Sequence, residues 1–218
     1  LQNLVLANKL KFNNELYQVP GIRYKLEENS SYRLGNKISS NQSSLSSLKE
    51  VSLFADPHPA DYDWRYTTVA RDEIIKRLEP FMKNNAGVAL FGTPTLFLSL
   101  YQSHKQLTLF DNSPSMLADL KSLGVKSSLV HHNLFNPLRK YKSKYEVVVA
   151  DPPWYVPFHK AFILRSSEVL KDDGVLMLSV LPWLTRPSAI DDRTEIVEFA
   201  MRAGFSIYEI VPGILSYQ

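Results

Sequence analysis

The sequence has 218 residues, 44% of them hydrophobic, which is enough to bury the core of one α/β domain and leave a smaller extension. It contains no cysteine, which excludes disulfides, thiolate metal ligands and thiol nucleophiles. Because it has neither a run of about 18 apolar residues nor the pattern of a secretory signal, we expect a soluble, cytoplasmic protein without a membrane segment.

The net charge of +3 is unevenly distributed along the chain. Residues 1–50 hold seven Lys or Arg against four Glu, whereas residues 51–218 hold eighteen charges of each sign. The larger part is neutral, so any attraction to nucleic-acid phosphates would come from the N-terminal segment or from local patches.

The N-terminal segment is expected to lie outside the main domain. Residues 1–38 mix short apolar stretches, such as Leu4 to Ala7, with Pro20 and Gly21. We interpret them as an extension with a helix end followed by short strands or turns, either part of a winged-helix-like unit or a covering segment. Residues 39–50, rich in serine, predict a linker, and residues 51–218 predict the main domain.

Within the main domain, short apolar or β-branched runs alternate with segments of helical period, which is typical of a parallel sheet with helices on both faces. A helix is predicted over 68–81, before the first strand. The predicted strands are 88–92, 107–110, 128–132, 145–150, 174–180 and 206–211, and the helices between them are 96–103, 115–123, 157–170 and 191–203. This order predicts a Rossmann-like α/β fold whose ligands bind at the carboxyl ends of the strands.

The fourth strand of this series leads into Asp151-Pro152-Pro153-Trp154, followed by Tyr155. This tetrapeptide resembles the acid-Pro-Pro-aromatic motif of class I S-adenosylmethionine-dependent methyltransferases that act on amino nitrogens, including the exocyclic amino group of adenine. The resemblance implies that these four residues form the catalytic motif. The alternative interpretation is a rigid strand-to-loop turn with a packed tryptophan.

The chemistry of these residue types suits such a reaction. An aromatic amine has a delocalised lone pair, so acceptors for its N–H groups, here the Asp151 carboxylate and the Pro152 carbonyl, help it to become tetrahedral. Proline fixes the turn and offers no competing N–H. Trp154 or Tyr155 would stack on a base taken out of its helix.

The cofactor half of the site is expected after the first strand, at Gly92-Thr93-Pro94. A glycine-rich turn there would let the backbone approach the cofactor, but this turn has one glycine. The stretch 90–96 resembles the altered first motif of a smaller branch that includes elongation-factor lysine methyltransferases. We therefore expect S-adenosylmethionine as cofactor and keep a catalytically inactive scaffold as an alternative.

Three further residues are candidates for cofactor binding. Asp111, at the end of the second strand, would accept the ribose hydroxyls or, alternatively, cap the next helix. Asn133, after the third strand, would contact the adenine ring or simply belong to a turn. Asp63, in the aromatic segment before the first helix, lies where the resemblance implies a contribution to the methionine end of the cofactor.

Lys140 and Lys142 belong to a basic run directly before the motif-bearing strand and are candidate phosphate contacts, although a solvated loop also explains the run. The five histidines lack metal-ligand spacing, so no metal is predicted. The sequence predicts methyl transfer to an amino nitrogen, with RNA or DNA as partner. A protein lysine, a polyamine in an aminopropyl transfer, and a non-catalytic scaffold stay open as alternatives.

The resemblance also implies a seventh strand after the sixth, and the sequence reaches Gln218 before one occurs. We therefore expect a fragment or a longer C-terminal tail.

Overall fold

The computed structural model describes residues 2–9, 65–125, 128–182 and 186–217. The strands are β1 (Gln2–Lys9), β2 (Val88–Phe91), β3 (Leu107–Asp111), β4 (Ser128–His131), β5 (Tyr145–Ala150), β6 (Leu170–Val180) and β7 (Phe205–Leu215). The α-helices are α1 (Thr68–Leu78), α2 (Pro94–Leu100), α3 (Pro114–Ser122), α4 (Val156–Val169) and α5 (Ala189–Arg202).

The strands form one seven-stranded sheet in the order β4-β3-β2-β5-β6-β1-β7. The first five strands of that order are parallel, and β1 is antiparallel to both of its neighbours. The strand order reverses direction at β2 and β5, so the chain leaves these adjacent strands toward opposite sides. This is the switch point at which open α/β sheets bind ligands, and the expected Rossmann-like architecture is confirmed.

Strand residues alternate between two hydrophobic cores, one on each face of the sheet, because successive side chains of a strand point to opposite faces. Val147 and Val149 of β5 pack on the face covered by α1, α2 and α3. Val148 and Ala150 pack on the face covered by α4 and α5. Burial on both faces explains the continuous apolar run of β5 from Val147 to Ala150.

The N-terminal strand differs from the sequence-based interpretation. The extension was expected to comprise a helix end followed by short strands or turns outside the main domain, but Leu4 to Ala7 belong to β1, which pairs with β6 on one side and β7 on the other. An alternating or apolar run of eight residues fits either element by itself. The strand is selected by partners more than 160 positions away, which local pattern cannot reveal.

Two other boundaries differ from the predicted ones. The predicted strand 174–180 begins earlier, because β6 starts at Leu170 and includes three exposed polar residues before Gly174. The last strand extends to Leu215. The proposed linker 39–50, residues 10–38 of the proposed extension and residues 51–64 lie outside the described residues. Among the helices that the structure describes, none is long and apolar enough to cross a membrane.

Candidate active site

The candidate site lies at the carboxyl edge of the sheet, where four neighbouring parallel strands end. Asp111 ends β3, Gly92 follows β2, Asp151 follows β5, and Ser179 lies at the end of β6. The Asp151 amide donates to the Phe91 carbonyl at 3.1 Å, which joins the turns after β2 and β5. The fold thus brings together residues that are separated by up to 87 positions in the chain.

Asp151 lies in a polar cluster with two tyrosines and a serine. The Tyr217 hydroxyl donates to both carboxylate oxygens, at 2.8 Å to Oδ1 and 3.0 Å to Oδ2. Tyr66 and Ser179 share a hydrogen bond of 2.9 Å between their hydroxyls, and both side chains are almost fully buried. The groups of the described residues that act on the acid are therefore neutral hydroxyls.

This environment changes the titration of all three acidic groups. Burial raises the pKa of the Asp151 carboxyl to about 6, against the opposing effect of hydroxyls from Tyr217, Ser179 and Tyr66. Burial and the Asp151 charge raise the pKa of both tyrosines well above the ordinary value of 10.0. Near pH 7 the carboxyl is mainly ionised and still close to its pKa, while the phenols remain protonated donors.

The two tyrosines are held together by the pairing of the segment before α1 with the segment after β7. Tyr66 and Tyr217 form an antiparallel β-bridge, and their rings stack with centroids 5.3 Å apart. Thr67 donates its amide to the Ser216 carbonyl at 3.0 Å, and the two side-chain hydroxyls are 2.7 Å apart. Thr67 also caps α1 through Ala70. The cluster is thereby tied to a helix, to the segment after β7 and to β6.

The turn after Asp151 presents one aromatic side chain to solvent and packs another. The Tyr155 amide donates to the Pro153 carbonyl at 2.7 Å, and Tyr155 is the N-cap residue of α4. Trp154 is partly buried against the core on the α4 face, whereas the Tyr155 ring is 49% exposed. Pro152 is buried. Of the two aromatic residues suggested for stacking, Tyr155 has the accessible face.

Tyr155 belongs to an aromatic surface formed with Phe135 and Phe158. Phe135 and Phe158 meet edge to face with centroids 5.2 Å apart, and Phe158 lies 6.5 Å from the Tyr155 ring. The Arg186 guanidinium lies 5.3 Å from the centroid of the Tyr155 ring. Exposed rings with a nearby guanidinium suit stacking with a planar, electron-rich group such as a nucleobase.

The turn after β2 fits a close approach of a ligand to the backbone. Gly92 has φ of +64°, and a Cβ there would lie 3.5 Å from the Asp151 carbonyl oxygen. Thr93 is 1% exposed, and its hydroxyl has no hydrogen-bond partner among the described residues. Pro94 begins α2 and contributes no N–H. A positive-φ glycine beside an unsatisfied buried hydroxyl is consistent with a cofactor at this position.

Asp111 is positioned beside this turn, and the structure separates its two proposed roles. The N-cap of α3 is Ser113, whose side chain accepts from the Met116 amide at 3.3 Å. Asp111 Oδ1 accepts the Ser113 amide at 2.8 Å. Since Ser113 caps the helix, Asp111 supports the turn before the helix and keeps a carboxylate at the strand end, where ribose hydroxyls would be bound.

The other sequence candidates are placed differently. Asn133 is exposed after β4, and its side-chain oxygen accepts the Phe135 amide at 3.0 Å, as in a local turn. Lys140 and Lys142 lie before β5, in a segment bonded to the C-terminal end of α4. Six strand residues separate that end of β5 from Asp151, about 20 Å. The lysines are therefore not gathered with the motif. Asp63 lies outside the described residues.

Tyr217, Ser179 and Phe135 were not identified from the sequence. Tyr217 follows the last strand with no motif around it, and its contact with Asp151 spans 66 positions. A partial signal existed for Tyr66, which belongs to the aromatic segment before the first helix. Among the residues that the structure describes, no cluster of three or more His, Asp or Glu side chains could hold a metal ion.

Comparisons with known proteins identify the family and the fold. A sequence profile described as "Probable N6-adenine methyltransferase" matches residues 62–174, just over half of the chain. An uncharacterized protein from Methanocaldococcus jannaschii is 33% identical over 96 residues, which cover 44% of this chain and 23% of that protein.

Two solved structures share the fold. The first is a mutein of branched-chain polyamine synthase from Thermus thermophilus, in complex with N4-aminopropylspermidine and 5′-methylthioadenosine. It has a TM-score of 0.66 and 17% identity, and the match covers 78% of this chain and 52% of that one. The second, described as a "putative methyltransferase" from Bacillus halodurans, has a TM-score of 0.50 and 14% identity, with coverage of 63% and 71%. The chain thus spans only about half of the first structure and under a quarter of the archaeal relative.

Proposed function

Because the chain belongs to the family of probable N6-adenine methyltransferases, which use S-adenosylmethionine, we propose that it methylates an amino nitrogen of nucleic acid, with the amino group of adenine as acceptor. The observation that carries this proposal is the position of Asp151 at the end of β5, where its amide bonds the strand that leads into the Gly92 turn and its own turn leads to the exposed ring of Tyr155.

The cofactor side of the proposed site comprises Gly92, Thr93 and Asp111. Gly92 would allow close backbone approach, the Thr93 hydroxyl would find the partner that it lacks among the described residues, and Asp111 would accept the ribose hydroxyls. When bound, S-adenosylmethionine supplies a methyl group on a positively charged sulfur. Asn133 remains a proposed adenine contact, although its side-chain oxygen takes part in the local turn.

The acceptor side centres on Asp151. Its carboxylate, with the Pro152 carbonyl, would accept the N–H groups of the acceptor and orient the nitrogen lone pair toward the methyl group. As the nitrogen forms its new bond, it must lose a proton. A carboxyl group with a pKa of about 6 can accept that proton and release it to solvent near neutral pH.

The aromatic surface favours nucleic acid over the other substrates. A base neighbouring the target would stack on the exposed Tyr155 ring, over which the Arg186 guanidinium also lies. The guanidinium is paired with the Asp192 carboxylate, whose Oδ2 lies 2.7 Å from Nη2 and 2.8 Å from Nε, so its charge alone does not discriminate against a polyamine or a lysine side chain. Protein lysine and polyamine substrates are retained as competing outcomes of the test.

The test is transfer of a labelled methyl group from S-adenosylmethionine to four pools: adenine-containing single-stranded oligonucleotides, the same oligonucleotides with inosine in place of adenosine, cell protein, and spermidine. The proposal predicts label in the adenine oligonucleotides and none in the inosine versions, which lack the amino group. Label confined to protein or spermidine would contradict the nucleic-acid assignment. A scaffold would label none of the pools.

A further inference from the structure

The hydroxyl of Tyr217 lies between the two oxygens of the acid that the proposed reaction uses. The distances of 2.8 and 3.0 Å are nearly equal, so the hydroxyl hydrogen faces both oxygens. A carboxylate bonded in this way has its rotation about the terminal torsion restricted, because turning it would lengthen one contact.

The position of the Tyr217 ring is itself fixed. The ring stacks on Tyr66 at an interplanar angle of 21°, and the residue is bridged to Tyr66 through the backbone. The adjacent Ser216 is joined to Thr67 by two hydrogen bonds. Tyr66, in turn, bonds Ser179 of β6. The hydroxyl is consequently held by three separate parts of the fold.

We propose that Tyr217 is the positioning residue of the acceptor site, holding the Asp151 carboxylate in the orientation that receives the N–H of the acceptor. The role rests on the proposed function, since it needs Asp151 to meet the acceptor nitrogen. Tyr217 acts through Asp151 and does not itself touch substrate. The Tyr217 phenol uses one lone pair of each carboxylate oxygen, the hydroxyls of Ser179 and Tyr66 lie beside the same group, and the acceptor would bind a remaining lone pair.

Among the residues that the structure describes, the titratable groups that face Asp151 are the phenols of Tyr66 and Tyr217, with the neutral hydroxyl of Ser179 beside them. Both phenols stay protonated near neutral pH because their pKa values are raised by burial and by the Asp151 charge. Tyr217 therefore remains a donor throughout the range in which Asp151 titrates.

The decisive variant is Tyr217→Phe, which keeps the stacked ring and removes only the hydroxyl. Its matched control is Tyr208→Phe, which removes the same hydroxyl from a half-exposed tyrosine of β7. Carbon-13 NMR of labelled aspartate measures the Asp151 pKa without any activity. Loss of a bond to the ionised form should raise that pKa in Tyr217→Phe and leave it unchanged in the control.

Turnover provides the second readout. In Tyr217→Phe the acidic limb of the pH profile should move to higher pH, and the plateau should stay about 10-fold or more below the wild type, because ionisation alone does not restore the orientation. Cofactor affinity should be unchanged. An unaltered Asp151 pKa and an unaltered plateau would overturn the positioning role.

Two further outcomes stay informative. If Tyr217→Phe does not fold, the ring carbon that bears the Tyr217 hydroxyl in the wild type should shift with the same apparent pKa as the Asp151 carboxyl, and a flat response would overturn the proposal. If the wild type methylates none of the acceptors, the proposed function fails, while the NMR titrations still decide whether Tyr217 holds Asp151.

Discussion

Replacement of Asp151 by asparagine should lower turnover and raise the stability of the fold. The amide has nearly the same shape as the carboxylate and can still accept from Tyr217. It carries no charge and cannot take up the acceptor proton, so turnover should fall by about 10²-fold or more. Cofactor affinity should stay within a few-fold, because the proposed cofactor contacts lie at the ends of β2 and β3.

The stability gain can be worked out from the pKa. Burial raises the pKa of Asp151 from 3.8 to about 6 in the folded protein, so ionisation favours the unfolded state. At about 1.4 kcal/mol per pKa unit, the difference amounts to roughly 3 kcal/mol. The neutral carboxyl of Asp151 therefore stabilises the folded state fully below pH 3.8, and this contribution is lost as the pH rises to about 6. The asparagine variant avoids the loss and should be up to about 3 kcal/mol more stable above pH 6.

His159 must be separated from this effect because it titrates in the same range with the opposite sign. Burial lowers its pKa from 6.5 to about 4, so its contribution to stability is lost as the pH falls from 6.5 toward 4. The two contributions nearly cancel in the wild type. They do not cancel in the difference between wild type and variant, since His159 is common to both proteins.

The assay is urea denaturation of the wild type and Asp151→Asn at a series of pH values from about 4 to 8. The difference in unfolding free energy should be near zero at the acidic end and should grow through the pKa of Asp151. A difference that does not vary with pH would refute the reasoning from burial. Retained turnover would remove Asp151 from the acceptor site.

Further variants test the remaining residues. Asp111→Ala should weaken S-adenosylmethionine binding by roughly 1.5–3 kcal/mol in calorimetry. Ser113→Ala, which removes the cap of α3, should cost about 1 kcal/mol of stability in thermal melting and leave the affinity unchanged. The same response from both variants would reject the assignment of Asp111 to the ribose. In fluorescence anisotropy, Tyr155→Ala should weaken oligonucleotide binding by about 1–3 kcal/mol, whereas Tyr155→Phe, which keeps the ring, should not. Equal binding by the two variants would exclude stacking on Tyr155. Replacing Lys140 and Lys142 with serine should leave turnover on a short oligonucleotide unchanged, because both lie at the far end of β5; a large loss would place the substrate there.

The sheet was predictable from sequence because its parallel core strands are buried on both faces. β5 was predicted at its observed bounds, since five of its six residues are apolar or aromatic, Glu146 being the exception, and the strand is bounded by a basic loop and by Asp151. The start of β6 was missed, because its second to fourth residues, Lys171, Asp172 and Asp173, are polar and exposed, and such a run is typical of a loop.

Contacts between distant parts of the chain were not predictable. β1 enters the sheet between β6 and β7, and a short apolar run does not reveal which strands will pair with it. The same limit applies to the site. The acid-Pro-Pro-aromatic motif is contiguous and was identified, whereas Tyr217 reaches Asp151 only after the last strand has returned to the carboxyl edge.

The basic run before β5 shows that proximity in sequence need not bring residues to the same edge of the sheet. Lys140 and Lys142 stand about ten residues from Asp151 in the chain, and nearness suggested a shared substrate. An extended strand lies between them and places them at opposite edges of the sheet. Phe135 is farther from Asp151 in sequence, yet it joins the aromatic surface, because β4 and β5 end at the same edge.

The central claim is that the turn after β2 and the end of β3 hold S-adenosylmethionine beside Asp151. Isothermal titration calorimetry of the wild-type protein with S-adenosylmethionine tests this claim most directly. One equivalent should bind, with weaker binding by Asp111→Ala and an affinity within a few-fold of the wild type for Asp151→Asn. A folded wild-type protein that gives no binding heat with S-adenosylmethionine across several temperatures would contradict the account. An Asp111→Ala variant that binds the cofactor as tightly as the wild type would also contradict it.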